Sequence, residues 1–568
     1  MEFESLKEIK VSDSLFRYIV PFSYDDKTKE DSYTYAIRKL KEANWILEKR
    51  SSKESECFEY LRTIYTMEED VKENNTVVGS IWKIPYNNKE RVSIVYQQEV
   101  VEDNKKHQKT VLEAQIVDAG IYLLKNKIGL FWYEIDIKNR DITLDLLVEF
   151  QNRFKELANR DDAILIKLSG EFLVEKNDIF PSNGDIPNCY DVSLISKENK
   201  KVKENNTQQA YKIENKTIVN GISLLKDQKE IKTANLKAIE IKKNDKKLYN
   251  LKYDITLNTS KWGVWISRKL AEMNCEISFY PNRSEQLEKT IPDKALLFNY
   301  IAIQEGLQKE QELKYAAYYL TKGYKKSYKP NSSFQTEMVY PFENIIWNAQ
   351  KEGCGIYVSF SDDNKGFMSG GMKDRVSRDY FHLYMSLLQQ SYTLLRFSEE
   401  IATSIPTDKD EYRYYGARIE KKLEDLQLRI NIFLMKNVYS SVGFSGQHNQ
   451  FYTYIEKTLN IKEDISALNS GMEVLEELLR RKELERRDTA LMLISLLSLL
   501  AFPHTMAEVI GIPIDNILGF SDVTINYILY GLYFVTILLF VFVLPNFLRS
   551  LKKNFFSKPY KSKYKKNK

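Results

Sequence analysis

In the first third of the chain, short apolar stretches alternate with polar residues or run on unbroken. FRYIVPFSY (residues 16–24), TVVGSIWKI (76–84), RVSIVYQQEV (91–100), IGLFWYEIDI (128–137) and AILIKLSG (163–170) carry the two-residue period or the β-branched and aromatic content of strands. Between them, DSYTYAIRKLKEANWILEKR (31–50) and DLLVEFQNRFKELANR (145–160) space apolar residues three and four apart, as a helix with one buried face requires. Residues 1–190 therefore predict an N-terminal α/β cytosolic region. The polar stretch 191–216, containing SKENKKVKENNTQQAYKIENK, predicts a linker or surface excursion. A second α/β region is predicted over 217–378, with strands at LYNLKYDITL (248–257), CEISFY (275–280) and GIYVSF (355–360). Its helix is predicted through ALLFNYIAIQEGLQKEQELKYAAYYLTKGY (295–324).

After Asp379 the period becomes that of long helices, and residues 379–488 read as stalk helices. DYFHLYMSLLQQSYTLLRFSEEIATSI (379–405) and DEYRYYGARIEKKLEDLQLRINIFLMKNVYS (410–440) are continuous patterns, followed by a break with Gly443 and Gly446. In the last helix Ile465, Leu468, Met472, Leu475 and Leu479 follow 3-4-3-4 spacing, a seam suited to another helix of the same chain or of a second copy. Two apolar runs follow. Thr489 to Phe502 continues through Pro503 and His504, so residues 489–524 read as a first transmembrane helix and a short outer loop, if the helix tolerates Pro503 and hides Glu508. Residues 525–548 carry no charge and read as a second span, about 36 Å long at ~1.5 Å per residue against a hydrocarbon core of about 30 Å. Residues 549–568 are a basic tail.

Charge sharpens this picture. The net charge is +5, but the tail alone holds nine basic residues and no acid, leaving about −4 elsewhere, a poor match to a general nucleic-acid surface. Arg480, Arg481, Lys482, Arg486 and Arg487 precede the first apolar run, and the outer loop has no Lys or Arg. By the positive-inside rule both termini are cytoplasmic and the chain sits in the inner membrane. Cys57, Cys189, Cys275 and Cys354 have neither disulfide-framework nor metal spacing, and the first ten residues lack signal-peptide character. Two spans cannot enclose an ion path, so a pore requires oligomerisation. Asp488, Met492, Ser495, Leu499 and Phe502 share one helix face that could line it or simply pack on the second span.

A large cytosolic α/β portion, stalk helices entering a first span, a short outer loop, a second span and a Lys-rich end resemble the CorA family of metal-ion channels. That resemblance implies a homopentamer. The family's Gly-Met-Asn motif is absent between His504 and Thr524, where PIDN (513–516) stands instead. FRYIVPFSY, YPFENIIWNAQKEGCGIYVSFSDD and DYFHLYMSLLQQSYTLLRFSEEIA are similar to segments of the CorA-like membrane effectors associated with type III CRISPR systems. That likeness implies an antiviral effector whose cytosolic domain binds a nucleotide second messenger, an S-adenosylmethionine–AMP conjugate, and gates or disrupts the membrane. A divalent-cation transporter for magnesium or cobalt and a non-conducting membrane-anchored binding protein are the alternatives.

An adenylated ligand needs cations or N–H donors for phosphate and flat apolar surfaces for the base. In SDDNKGFMSGGMKDRVSRDY (361–380), Gly366, Gly370 and Gly371 suggest a flexible loop before a helix, with Lys373, Arg375 and Arg378 at its entrance, or a plain hinge. Gly366 and Gly371 have P-loop spacing, but Met372 and Asp374 stand where Lys and Ser or Thr are needed, so ATP hydrolysis is not expected. KWGVWISRK offers Trp262 with Arg268 and a second tryptophan, Trp265, or else a half-buried amphipathic segment. Arg153 is a third candidate, or a solvated helix residue. His107, His382, His448 and His504 are isolated from Cys or acidic ligands, and Asp362 and Asp363 fall in a turn. Neither a catalytic constellation, a metal site nor a cofactor is expected. The expected partners are copies of the chain, the lipid bilayer and the messenger, with no direct nucleic acid.

Overall fold

The structure, a computed structural model, describes residues 5–7, 9–25, 31–48, 79–84, 90–102, 105–138, 142–157, 163–175, 195–197, 210–214, 231–243, 246–257, 263–280, 292–304, 310–331, 333, 337–404, 417–437, 442–443, 445–510, 527, 530, 531, 534 and 537. They divide into two compact units, Met1–Tyr392 with Tyr439–Ile461, and Thr393–Val438 with Lys462–Lys568.

The first unit is built on one mixed sheet of sixteen strands. Its centre is β1 (Val11–Asp25), flanked by β6 (Ile128–Ile137) on one side and by β13 (Leu296–Ile303) and β12 (Glu276–Phe279) on the other. Beyond β13 lie β16 (Gly353–Ser359), β15 (Ile345–Gln350) and β14 (Val339–Phe342); β13 and β16 run parallel, and the other pairings are antiparallel. Beyond β6 lie β5 (Lys105–Leu124), β4 (Glu90–Glu102), β7 (Ile164–Glu175), β11 (Lys246–Leu257), β10 (Ile231–Lys243), β9 (Ala210–Glu214) and β8 (Ile195–Lys197). Short β3 (Gly79–Lys83) pairs with the far half of β5 and with β2 (Ile46–Leu47). One sheet thus runs through the two regions that the sequence separates, and β8 and β9 arise inside the stretch read as a linker.

Both faces of the central strands are covered, which is why Leu15 to Phe22 are buried without a break. On the first face Phe16, Tyr18, Val20, Phe22 and Tyr24 join α1 (Ser32–Glu42), α2 (Leu144–Phe154), α3 (Gly263–Ala271) and α4 (Glu310–Lys322) in one apolar core. Asp31 caps α1, its carboxylate accepting the Thr34 N–H at 3.1 Å, and Thr143 caps α2, accepting the Leu146 N–H at 3.4 Å. Phe154 lies at the middle of this layer, stacked on Phe150 (5.2 Å) and edge-on to Tyr18 (5.1 Å) and Tyr133 (6.3 Å). The second face is closed by the first turns of α5 (Phe381–Ser404) and by α7 (Gly446–Thr458), through ring contacts such as Phe298 with Phe381 and Tyr384, and Trp347 with Phe451.

In the second unit the C-terminal half of α5 lies against α6 (Ala417–Asn437) and α8 (Ile461–Ile510). Phe397 meets Phe433 at 5.6 Å, and Gln427 donates to Glu476 at 2.7 Å. Burial alone would raise the Glu400 carboxyl; hydrogen bonds from Arg429 (2.7 Å) and Arg396 (3.0 Å) more than offset this and leave it lowered. Of the 3-4-3-4 seam, Leu468 and Met472 are buried within this unit, so that part of it packs inside the chain; the Leu475 and Leu479 side chains lie outside the described residues.

The expected pair of C-terminal membrane spans is corrected. Among the described residues no helix is long and apolar enough to cross a membrane. The uninterrupted apolar run of α8, Thr489 to Phe502, would extend only about 21 Å, against about 30 Å of hydrocarbon. It is the end of a fifty-residue helix whose earlier turns are charged. The second run, 525–548, lies outside the described residues except for Tyr527, Tyr530, Gly531, Phe534 and Ile537, which are helical. The inner-membrane location and the ion-channel reading are withdrawn with the spans.

Lys155, just past the end of α2, is 6% exposed and donates to the last carbonyl of α4, Lys322 O, at 2.8 Å, with Tyr324's ring 5.1 Å away. Burial, helped by the Lys294 ammonium, lowers it from 10.5 to about 8. Between about pH 8 and 10.5 the unfolded chain keeps a proton that the folded chain has released, so folding stability from this group rises with pH across that window and is lost as pH falls through 8. Unfolding of the wild type and Lys155→Met, compared from pH 7 to 10.5, should show the difference shifting toward the wild type only above about pH 8. Phe154→Ala should cost about 3–5 kcal/mol in denaturant unfolding, the range for emptying a large aromatic site.

Candidate functional site

A bulge decides what the second face of the sheet displays. On β5, Ile116 pairs with Ile135 and Asp118 with Glu134, so Val117 is an extra residue and the side-chain alternation reverses there. Before it Leu112, Ala114 and Ile116 join the first-face core; after it Ala119, Ile121 and Leu123 do. Asp118, Gly120 and Tyr122 are thereby turned to the second face. Register then sets Asp118, Glu134 and Arg17 in one row across β5, β6 and β1, and Lys83, Gly120 and Trp132 in the next.

The charges in this layer are matched in pairs. Arg17, 8% exposed, donates to Glu134 Oε2 from Nε (2.8 Å) and Nη2 (2.7 Å). Lys83 pairs with Asp118 at 3.0 Å and Glu48 at 3.6 Å; burial lowers it, but the two carboxylates more than compensate and leave it raised. The Trp132 ring lies between both cations, 5.2 Å from the Arg17 guanidinium and 5.8 Å from Lys83 Nζ. Only glycine fits at 120, since a Cβ there would come within 2.5 Å of Trp82 O and 3.1 Å of the Trp132 Nε1. That indole N–H is buried without an acceptor. Phe381 closes the layer, 4.2 Å from the Arg17 guanidinium and 5.5 Å from Trp132, and beside it His382 Nδ1 is hydrogen-bonded to Tyr122.

The segment leading into α5 is not the flexible loop expected from Gly366, Gly370 and Gly371. Gly366 and Gly371 are helical (φ −58° and −59°), and the helix widens twice: over Phe367–Gly371, where Met372 N–H bonds Phe367 O, and over Val376–Tyr380, where Phe381 N–H bonds Val376 O. Such i→i+5 steps disturb the regular ladder and leave carbonyls in need of other donors. The sheet supplies two: Tyr300 of β13 donates to Met368 O, and Arg17 Nη1 donates to Ser377 O. Lys373 adds an ion pair to Asp13 of β1 at 2.6 Å.

Of the residues singled out from sequence, Lys373, Arg375 and Arg378 share this segment. Lys373 is paired as above, Arg375 lies 5.7 Å from the Phe367 ring, and Arg378 Nε is 3.5 Å from Asp379, whose carboxylate is 1% exposed and accepts no hydrogen bond. Arg153 is remote from them in α2 of the first-face layer, over Tyr96 (5.7 Å) and 3.9 Å from Glu149, the solvated-helix role. Trp262 lies outside the described residues, as does the side chain of Arg268; Trp265 is in the core, edge-on to Phe131 and Tyr133. Asp488, Met492 and Ser495 are exposed on α8, Ser495 donating to Leu491 O at 2.9 Å, and the side chains of Leu499 and Phe502 lie outside the described residues. Arg17 escaped the sequence reading, although a lone Arg inside FRYIV is a signal that a buried cation needs a partner.

Comparison with known protein families, curated proteins and solved structures finds no match. Among the described residues no group of His, Cys, Asp and Glu could hold a metal ion.

Arg17→Met should cost about 3–5 kcal/mol in unfolding free energy, because it strands the Glu134 carboxylate in a buried layer. Adding Glu134→Met should restore part of that loss, and a double-mutant cycle reads the coupling.

Proposed function

We propose that the sheet unit is the sensor of an anionic nucleotide messenger, of the S-adenosylmethionine–AMP class, in a type III CRISPR antiviral effector, and that α5 responds to its binding. The observation that supports this most is the pair of widened helical steps whose carbonyls are held from the sheet by Arg17 and Tyr300. A phosphate is a stronger acceptor for a guanidinium than a neutral carbonyl is. A ligand phosphate reaching Arg17 or Lys373 would release Ser377 O or Asp13, and the freed carbonyl would then favour a tighter helical register. Trp132 and Phe381 supply flat apolar surface beside those cations. A helix register is bistable, so a ligand acts on it only through different affinities for the two arrangements. α5 begins in the first unit and ends in the second, so a register change at its start is carried along a continuous element.

Isothermal titration of the full chain with the S-adenosylmethionine–AMP conjugate, with ATP and S-adenosylmethionine as separate controls, tests this reading. Binding tighter than about 1 mM is expected, weakened at least tenfold, or ~1.4 kcal/mol, in Lys373→Gln. Lack of heat with the conjugate, or undiminished affinity in Lys373→Gln and Tyr300→Phe alike, rejects it.

A further inference from the structure

We propose that the end of the β10–β11 hairpin docks on the phosphodiester backbone of a nucleic acid. Two residues join these strands, and the pairing closes with Lys242 opposite Lys247 and Lys243 opposite Lys246. On the outer side β9 pairs with β10 only as far as Ile239; on the inner side β7 pairs with β11 only from Leu248 onward. The four lysines therefore stand beyond the last residue that either flanking strand holds, on a two-stranded ribbon that overhangs the sheet. Successive pairs alternate between faces, so each face of the ribbon carries one Lys–Lys pair.

Like charges directly opposite each other destabilise a strand pair. The other long hairpin of the same sheet avoids this: β4 and β5 close with Glu102 opposite Lys105. At the β10–β11 end an acid at either position of each pair would relieve the repulsion, and no flanking strand constrains the choice. A ribbon end that keeps four cations instead is suited to an external polyanion. Charge on both faces favours a continuous one, since a two-stranded ribbon fits the major groove of a B-form duplex, about 12 Å wide, with phosphates on either side. Lysine is a point-charge phosphate binder, whereas protein interfaces are depleted in lysine and enriched in Tyr, Trp and Arg, so an acidic protein is the poorer match. The chain-wide charge that argues against a general nucleic-acid surface does not bear on this local concentration, with seven lysines and three acids between Ile231 and Leu257.

The test is fluorescence anisotropy of the full chain with a short mixed-sequence DNA duplex, between about 50 and 200 mM salt. The informative variant is Lys242→Glu with Lys243→Glu, which places an acid opposite Lys247 and Lys246 and so strengthens the hairpin while cancelling its charge. The slope of log affinity against log salt should fall by roughly 0.9 for each lysine that meets a phosphate, about 2–4 in all. The same fall should appear in a background whose C-terminal tail lysines are changed to Gln, which removes the competing basic segment. An unchanged slope in the double variant, absence of duplex binding at the lowest salt, or a preference for polyglutamate over the duplex overturns the proposal.

Discussion

A single buried guanidinium joins the two layers of the sheet unit. Arg17 sits in the middle of the central strand, where every neighbour from Leu15 to Phe22 is out of water. Removing such an ion from water costs several kcal/mol, and only good geometry repays it. Here Glu134 supplies the countercharge, Ser377 O takes a further donor, and Phe381 covers the flat face. These partners belong to the neighbouring strand, the widened helical step and the first residue of α5. The cation can be satisfied only when strand register, helix register and helix placement are all correct, so one interaction ties the sheet to the helix that leaves it.

The widened helical steps follow from the same constraint. A regular helix through 367–380 would satisfy its own carbonyls and offer none to the sheet. Two i→i+5 steps give up that self-sufficiency, and Arg17 and Tyr300 make good the loss. Gly366 and Gly370 meet nothing within 4 Å where a Cβ would be, so close packing does not call for glycine at either position. The segment is helical and held from outside, where the glycines alone had suggested a loop.

What could be read from sequence divides along the same physical line. Strands with a clean pattern, FRYIVPFSY and IGLFWYEIDI among them, and the capped helices after Asp31 and Thr143 are where the local signal puts them, because nothing distant competes with it. β13 was assigned to a helix because both its faces are covered, and a run such as LLFNYIAI has no alternation to betray a strand. β5 was missed because the Val117 bulge reverses its alternation halfway, and that reversal also brings Asp118 beside Glu134 and Arg17. Lys373, Arg375 and Arg378 were legible as one cluster from their nearness in sequence. Arg17 and Tyr300, which meet them from strands far away along the chain, were not. In α8 an apolar run after charged turns carries the composition of a span, yet among the described residues no helix has the length and apolarity to be one.

Charge in this protein has meaning only at the scale at which it is arranged. The total of +5 is dominated by the C-terminal tail and says little about any surface. Inside the sheet unit, Arg17 and Lys83 are matched against Glu134, Asp118 and Glu48, as low-dielectric surroundings demand. At the end of the β10–β11 ribbon the opposite arrangement holds, with like charges set against each other by the register. Water and salt screen such a repulsion well enough for the fold to survive it, with a Debye length near 8–10 Å. The buried pairs are therefore required by folding. The unmatched pairs at the ribbon end serve no folding requirement, and their reason has to be sought outside the chain.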